Sequence, residues 1–373
     1  MNPYYLILLS FFILFSCRSS HSSSLKNSLD SISQPSSAST NSFEVMDLNT
    51  KLGMNLKYGP DGNLGTASIN SRQYFYFAAH ASTKRVTSNY DKLTQDQSMK
   101  DINISGLPNK FQYAAAGPIL ELPEIQKLVM FYHAEELPDG RGHGKFYTSI
   151  GVAVSELDNG VDFVDLGIIL SLNMTEADRQ NIFRADLGGA TFVEKGQELL
   201  MYFKDTLRNG NQIRLSVAKA SKGDFISAIA AGQTPVFHKF FNNNFSEPGL
   251  GGRSSSIVSQ GPYLRWPSVS YSEELNKFIM VYSVNDTSWS QQNQNVKLEW
   301  MHSNDGVNWS QPQVLLDESA ELQYPTIVDT KNHKTSSFEK VARVYYIYSK
   351  RGSFARWEDA IVKAMDVDFS TML

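Results

Sequence analysis

Cysteine is almost absent. Of 373 residues only Cys17 carries a thiol, so no disulfide can form within the chain and a core alone must hold the fold. Charge is sparse too: Asp, Glu, Lys and Arg make up 19%, with 34 basic against 38 acidic residues and a formal net charge of −4. No long basic run exists, which argues against a nucleic-acid partner. Long apolar runs are also missing, since the stretch from Leu6 to Phe15 falls short of the about 20 residues that span a bilayer as a helix. No Cys/His ligand spacing occurs. The glycine-rich segment Asp139-Gly140-Arg141-Gly142-His143-Gly144 lacks the strand-to-helix setting of a phosphate loop, so neither a metal nor a cofactor is expected.

What is present begins at the N-terminus. Leu6 to Phe15 suits the core of a signal peptide, although the positively charged start is missing. Leu14-Phe15-Ser16-Cys17 resembles a relaxed lipobox, with leucine three residues before a cysteine that would take lipid and small Ser16 at the cleavage point. Arg18 to Ser42 is polar and serine-rich and buries too little apolar surface to offset its ordering entropy. The expected layout is a lipoprotein signal over 1–17, a disordered tether over 18–45 and one folded domain over 46–373. Localisation at a bacterial cell envelope follows, with a lipid anchor as the only membrane contact and a monomeric state.

The folded part repeats. Tyr74-Phe75-Tyr76-Phe77, Val129-Met130-Phe131-Tyr132, Leu200-Met201-Tyr202-Phe203, Ile279-Met280-Val281-Tyr282 and Tyr345-Tyr346-Ile347-Tyr348 are short apolar runs that read as buried strands. Each follows another apolar segment, beginning at Gly65, Gly117, Gly189, Trp266 and Tyr324. Third segments such as Ile150 to Ser155, Leu215 to Ser221, Leu298 to Ser303 and Ala360 to Met365 come next, with turns leading to Phe163, Phe225, Trp309 and Phe369. The apolar runs are too short, and too often broken by Gly, Asn and Asp, to be helices. The expected fold is all-β: a five-bladed β-propeller of four-stranded antiparallel blades, which leaves only short, protected edges.

Ser303-Asn304-Asp305-Gly306-Val307-Asn308-Trp309 resembles the S-x-D-G-x-x-W turn of five-bladed glycoside hydrolases, and also a shortened sialidase Asp box. Over about residues 55 to 370 the repeat is similar to the propeller superfamily of arabinanases, β-xylosidases, levansucrases and mannoside phosphorylases. That resemblance implies carboxylates at inner-strand starts. Here the residues beside those starts are not acidic, and Ala116-Gly117-Pro118 has alanine where the E-G-P form has glutamate.

Antiparallel order brings the start of each inner strand and the end of the next strand to one face. His80, His133, Glu135, Glu136, Lys204, Asp205, Asp286, Lys350 and Arg351 enter it from one side, and Asp186, Arg265 and Gln323 from the other. From this funnel the candidate catalytic pair is Asp186, as base or pKa-tuning group, with Glu135 as acid. His80, His133, Arg265, Trp266, Tyr324, Asp205 and Asp286 are the candidate carbohydrate-binding residues, Trp266 and Tyr324 offering flat surfaces to a sugar ring. Two functions stay open: a glycosidase acting on glycans or oligosaccharides, and a glycan-binding or scaffold lipoprotein that lost its chemistry. A sialidase-like protein is a third reading, which would need an arginine triad and six blades.

Overall fold

The aromatic runs become strands because β-branched and aromatic side chains fill both faces of a buried sheet. The computed structural model describes residues 43–47, 61–79, 82–87, 100–140, 144–207, 212–258, 264–285, 296–350 and 360–373, all within the unit Ser37–Leu373. Cys17, the signal, His80, Asp286 and Arg351 lie outside the described residues, as does the tether except for its last positions. Those positions fall in a strand, β1 (Phe43–Asp47).

The antiparallel pairings run in consecutive groups. The first joins β2 (Gly65–Ile69), β3 (Arg72–Ala79), β4 (Ser82–Thr87) and β5 (Lys100–Ser105). The next joins β6 (Phe111–Leu122), β7 (Lys127–Glu136), β8 (Phe146–Glu156) and β9 (Asp162–Ser171). Then come β10 (Arg184–Lys195), β11 (Glu198–Leu207), β12 (Gln212–Ser221), β13 (His238–Phe241) and β14 (Asn244–Pro248). They are followed by β15 (Leu264–Ser272), β16 (Lys277–Asn285), β17 (Val296–Ser303) and β18 (Gln313–Leu316). In the last group β19 (Glu321–Asp329) is followed by short β20 (Ser337–Phe338), β21 (Val341–Ser349) and β22 (Ile361–Asp368). β1 adds to the outer edge of β22, Phe43 opposite Ala364.

Two turns depart from the expectation: Phe369 opens a short 3-10 helix (Phe369–Thr371) after β22, and Phe225 departs further. Phe225, expected beyond a tight turn toward a fourth strand, sits instead in a helix, α2 (Lys222–Ala230). Ser221 caps it by accepting from the Asp224 amide at 3.4 Å, and Phe225 and Ile229, four residues apart, bury one face. A second helix, α1 (Glu176–Asn181), starts with a capping box between Thr175 and Asp178.

Apolar layers fill the space between neighbouring groups. Phe131, Phe192, Phe225 and Phe237 belong to one, and Tyr202, Tyr282, Met280 and Met301 to another. Phe75 and Phe77 share a cluster with Tyr345 and Ile347, so the first and last groups meet directly. At the layers a buried tyrosine recurs, and each hydroxyl finds a partner. Tyr76 donates to the Gly160 carbonyl at 2.9 Å and Tyr202 to Gly306 at 3.0 Å, while Tyr132 donates to Asp165 at 2.6 Å and Tyr282 to Glu299 at 2.9 Å. Burial pushes the Tyr76 hydroxyl up to about 12.

The inner strands share a local irregularity that shapes the site. β6, β10, β15 and β19 each shift register near their starts, between Ala116 and Ile119, Gly188 and Thr191, Arg265 and Ser268, and Gln323 and Thr326. Gly189, Trp266 and Tyr324 sit at these bulges with φ of 63°, 53° and 51°. Bulges re-aim side chains, and here all three residues face one cavity.

Candidate active site

The cavity holds about 260 Å³ and lies where the bulged strand starts meet the end of β7. Five of the candidate residues line it: Asp186, Glu135, His133, Trp266 and Tyr324. Asp61, Asn63 and Arg184 line it too.

Asp186 is 6% exposed, so its charge needs a partner. The partner is Lys204, whose Nζ lies 2.5 Å from Oδ2, and Thr148 donates to Oδ1 at 3.0 Å. Register dictates this pairing: β10 and β11 run antiparallel, with Gly188 opposite Lys204 and Asp186 opposite Thr206. Burial alone would raise the Asp186 carboxyl, but the charges of Lys204 and His133 and the Lys204 hydrogen bond outweigh it and hold it at about 2. Burial in turn pulls the Lys204 ammonium down, against the pull of Asp186. Lys204 also rests on the Trp266 ring, 3.8 Å from its centroid. Trp266 and Tyr324 meet at 4.5 Å between ring centres.

Beside Asp186, His133 Nε2 lies 3.5 Å from Glu135 Oε1. Burial lowers the His133 pKa, yet the Glu135 hydrogen bond and the charges of Glu135 and Asp186 overcome it and leave it raised. Asp61 moves opposite to Asp186. Burial raises its pKa, the Tyr324 hydroxyl donating to Oδ1 at 2.6 Å lowers it, and the Glu135 charge raises it further. The site therefore holds two aspartates whose environments push their pKa values apart, a pattern that assigns acid and base roles in enzymes.

Glycines make the close approaches possible. A Cβ at Gly188 would stand 2.6 Å from His133 Nδ1, and one at Gly189 would stand 2.8 Å from Trp266 Cε3.

Two expected binding residues stand off the cavity. Asp205 follows Lys204 on the same strand and so points to the opposite face, where it accepts from the Ser254 hydroxyl. Arg265 is buried, at 4% exposure, away from the cavity lining, and its charge reaches Lys204. Asp186 is thus paired with Lys204, a residue the sequence placed in the funnel without singling it out.

Asp61, Asn63 and Arg184 escaped the sequence reading. Asp61 stands four residues ahead of β2, in Pro60-Asp61-Gly62-Asn63, away from the positions beside the strand starts. The Asp-Gly turn signal was available. What it could not show is the partner, since Tyr324 lies 263 residues away.

No protein-family model matches this chain, and no curated protein sequence matches it. Solved structures do resemble it. The catalytic domain of a GH62 alpha-L-arabinofuranosidase from Coprinopsis cinerea aligns over 89% of this chain and 98% of its own, with TM-score 0.53 and 12% identity. An N-acetylgalactosamine deacetylase from F. plautii, solved in complex with blood group B trisaccharide, aligns over 90% and 97%, with TM-score 0.52 and 12% identity. A Bacillus subtilis arabinanase aligns over 83% and 95%, with TM-score 0.51 and 11% identity. One of these is a deacetylase, so the shared fold does not by itself fix the reaction. The nearly all-β architecture and these likenesses together identify the fold as the β-propeller that these proteins share.

Proposed function

We propose that this chain is a glycosidase acting on glycans or oligosaccharides, built as a five-bladed propeller and held at a bacterial cell envelope by lipid on Cys17. The observation that carries the catalytic reading is the pair of carboxyls in one cavity, Asp61 with its pKa raised by burial and Glu135, whose charge raises it further. Glycoside cleavage uses a protonated acid for the leaving oxygen and an ionised carboxylate opposite it. Asp61 is the proton donor in this scheme, and Glu135 is the carboxylate that activates water or attacks the sugar. Asp186, locked to Lys204, supplies fixed negative charge that helps raise the His133 pKa and so supports the imidazole contact that orients Glu135. The Trp266 and Tyr324 rings receive the sugar face. The five consecutive strand groups, and the closure of the last by β1, support the blade count.

A glycan hydrolysis screen tests this, with Asp61→Asn, Glu135→Gln and Asp186→Asn beside the parent. Loss of a positioned acid or base should cost about 10²–10⁴-fold in rate. Unchanged activity in all three variants would remove the site assignment. A second reading rests on Ala116-Gly117-Pro118, where the resemblance implies a glutamate. Inactivity on every substrate together with measurable glycan binding would favour that reading, a binding protein that kept the propeller and lost its chemistry. For the anchor, Cys17→Ser should block lipid attachment and release the protein from membranes. A membrane-bound mature protein with no lipid in its mass spectrum would refute it.

A further inference from the structure

Trp266 and Tyr324 hold backbone conformations that their own sequence disfavours. Both have positive φ, 53° and 51°, and both precede a proline, Pro267 and Pro325. L-residues avoid positive φ because Cβ crowds the carbonyl oxygen, and a following proline pushes its neighbour toward extended conformations. At the matching place on β10 stands Gly189, which has no Cβ to strain. Strain of this kind persists only where the surroundings over-determine it, so the two rings need an outside hold.

The ladders of β15 and β19 do not supply that hold. Trp266-Pro267 and Tyr324-Pro325 lie inside the register shifts and have no registered partner on β16 or β21. The prolines also lack an N–H. Contact comes instead from the segment ahead of β2. Asn63, only 4% exposed, donates from Nδ2 to the Pro325 carbonyl at 2.5 Å and to the Pro267 carbonyl at 3.4 Å. One amide thus reaches both bulges, 262 and 204 residues away. The chemistry suits the task, since a primary amide carries two N–H donors on one nitrogen, whereas serine carries one donor and aspartate none. Asn63 Oδ1 is buried without a partner, so the side chain acts through its donors alone. The strands just past the prolines are anchored separately. Ser268 accepts from the Ile327 amide and Thr326 from the Leu64 amide, each at 2.9 Å.

We propose that Asn63 is a positioning residue, whose amide holds the Trp266 and Tyr324 backbones in their bulged form so that both rings present one fixed surface to the cavity. This role stands apart from the reaction; only its effect on KM rests on the glycosidase reading above. Asp61, two residues earlier, accepts from the Tyr324 hydroxyl at 2.6 Å, so the same short segment grips Tyr324 at both its ring and its backbone.

The test labels the full-length protein with 5-fluorotryptophan and follows it by fluorine NMR. Trp266→Phe assigns the Trp266 signal among the five tryptophans. Trp300 and Trp309, which pack in other clusters and are assigned in the same way, serve as references. Asn63→Leu keeps the shape and removes both donors, while Asn63→Ser keeps one. In both variants the Trp266 signal should move or split, more in Asn63→Leu, and the Trp300 and Trp309 signals should stay. On a glycan that the parent hydrolyses, Asn63→Leu should raise KM about three- to tenfold and leave kcat within about twofold. A Trp266 signal that stays put in a folded Asn63 variant would overturn the inference, as would reference signals that move with it. Failure of both variants to fold would mark Asn63 as a general core residue and overturn it too. A shifted Trp266 signal with KM unchanged would leave the positioning role standing and take the rings out of the sugar's site. The same shift on a protein that hydrolyses no glycan would overturn the glycosidase reading alone.

Discussion

At the scale of single residues the site is governed by one buried ion pair. The Asp186 and Lys204 side chains are only 8% and 4% exposed, so neither charge can be left alone. Lys204→Met should therefore cost about 3–5 kcal/mol, read from denaturant midpoints, and should raise the Asp186 pKa in an NMR titration. Replacing both residues by apolar ones of similar size should recover most of the stability. The acid dependence has a definite sign. A carboxyl held at about 2 when folded and near 3.9 when unfolded stabilises the protein above that window, and its contribution disappears as pH falls through it. Asp61 behaves in the opposite sense. As the proton donor it should lose function as pH rises through its elevated pKa, and in the Asp61→Asn variant this alkaline limb should vanish from the pH–rate profile. Asp186, Glu135 and the aromatic pair were legible in the sequence because they sit at strand ends that repetition makes countable. Lys204 as the partner of Asp186 was not, because pairing depends on register and burial.

At the scale of elements the turn after β17 shows how a local motif serves the assembly. Asp305 Oδ1 accepts from the Val307 amide at 2.9 Å, the Asn308 amide at 2.7 Å and the Ser303 hydroxyl at 3.0 Å. Gly306, at φ 77°, turns its carbonyl to the Tyr202 hydroxyl of the neighbouring group, and Trp309 packs edge-on to Tyr202 at 6.0 Å. The motif was readable as a fold element from its residue order alone. Its contact with Tyr202, about a hundred residues earlier, was not. Tyr202→Phe should cost about 1–2 kcal/mol, because the buried Gly306 carbonyl loses its donor. Asp305→Ala should cost about 1 kcal/mol at neutral pH, a modest loss because the carboxylate is exposed. Chemical denaturation of both variants beside the parent checks the ordering. The helix α2 is where element-level reading failed. Ser221, Asp224, Phe225 and Ile229 carry a cap and an i, i+4 apolar pair, yet the helix is short and the surrounding strand repeat masked it.

At the scale of the whole molecule, contacts between the first and last strand groups join pieces distant in sequence. β1 covers the outer edge of β22, with a register shift between Glu44 and Met46. Exposed strand edges recruit other chains. A chain beginning after Asp47 should unfold at lower temperature and self-associate more with concentration, measured by thermal melts and light scattering. Unchanged melting and scattering would show that β1 is dispensable. The Phe75–Tyr345 contact, with ring centres 5.1 Å apart, and the Leu64 amide donating to Thr326 at 2.9 Å join the first and last groups from within.

The order of apolar and aromatic runs determined by itself that this chain is a repeated β-structure and where its strands lie, because side-chain alternation and turn residues act over a few positions. Only the tertiary structure decided what those strands bring together. Asp61 finds Tyr324 across 263 residues, Asp186 finds Lys204 through strand register, and Trp266 faces the cavity through a bulge. Burial then sets the charge of each acid, and burial is a property of the assembled molecule that no local pattern encodes.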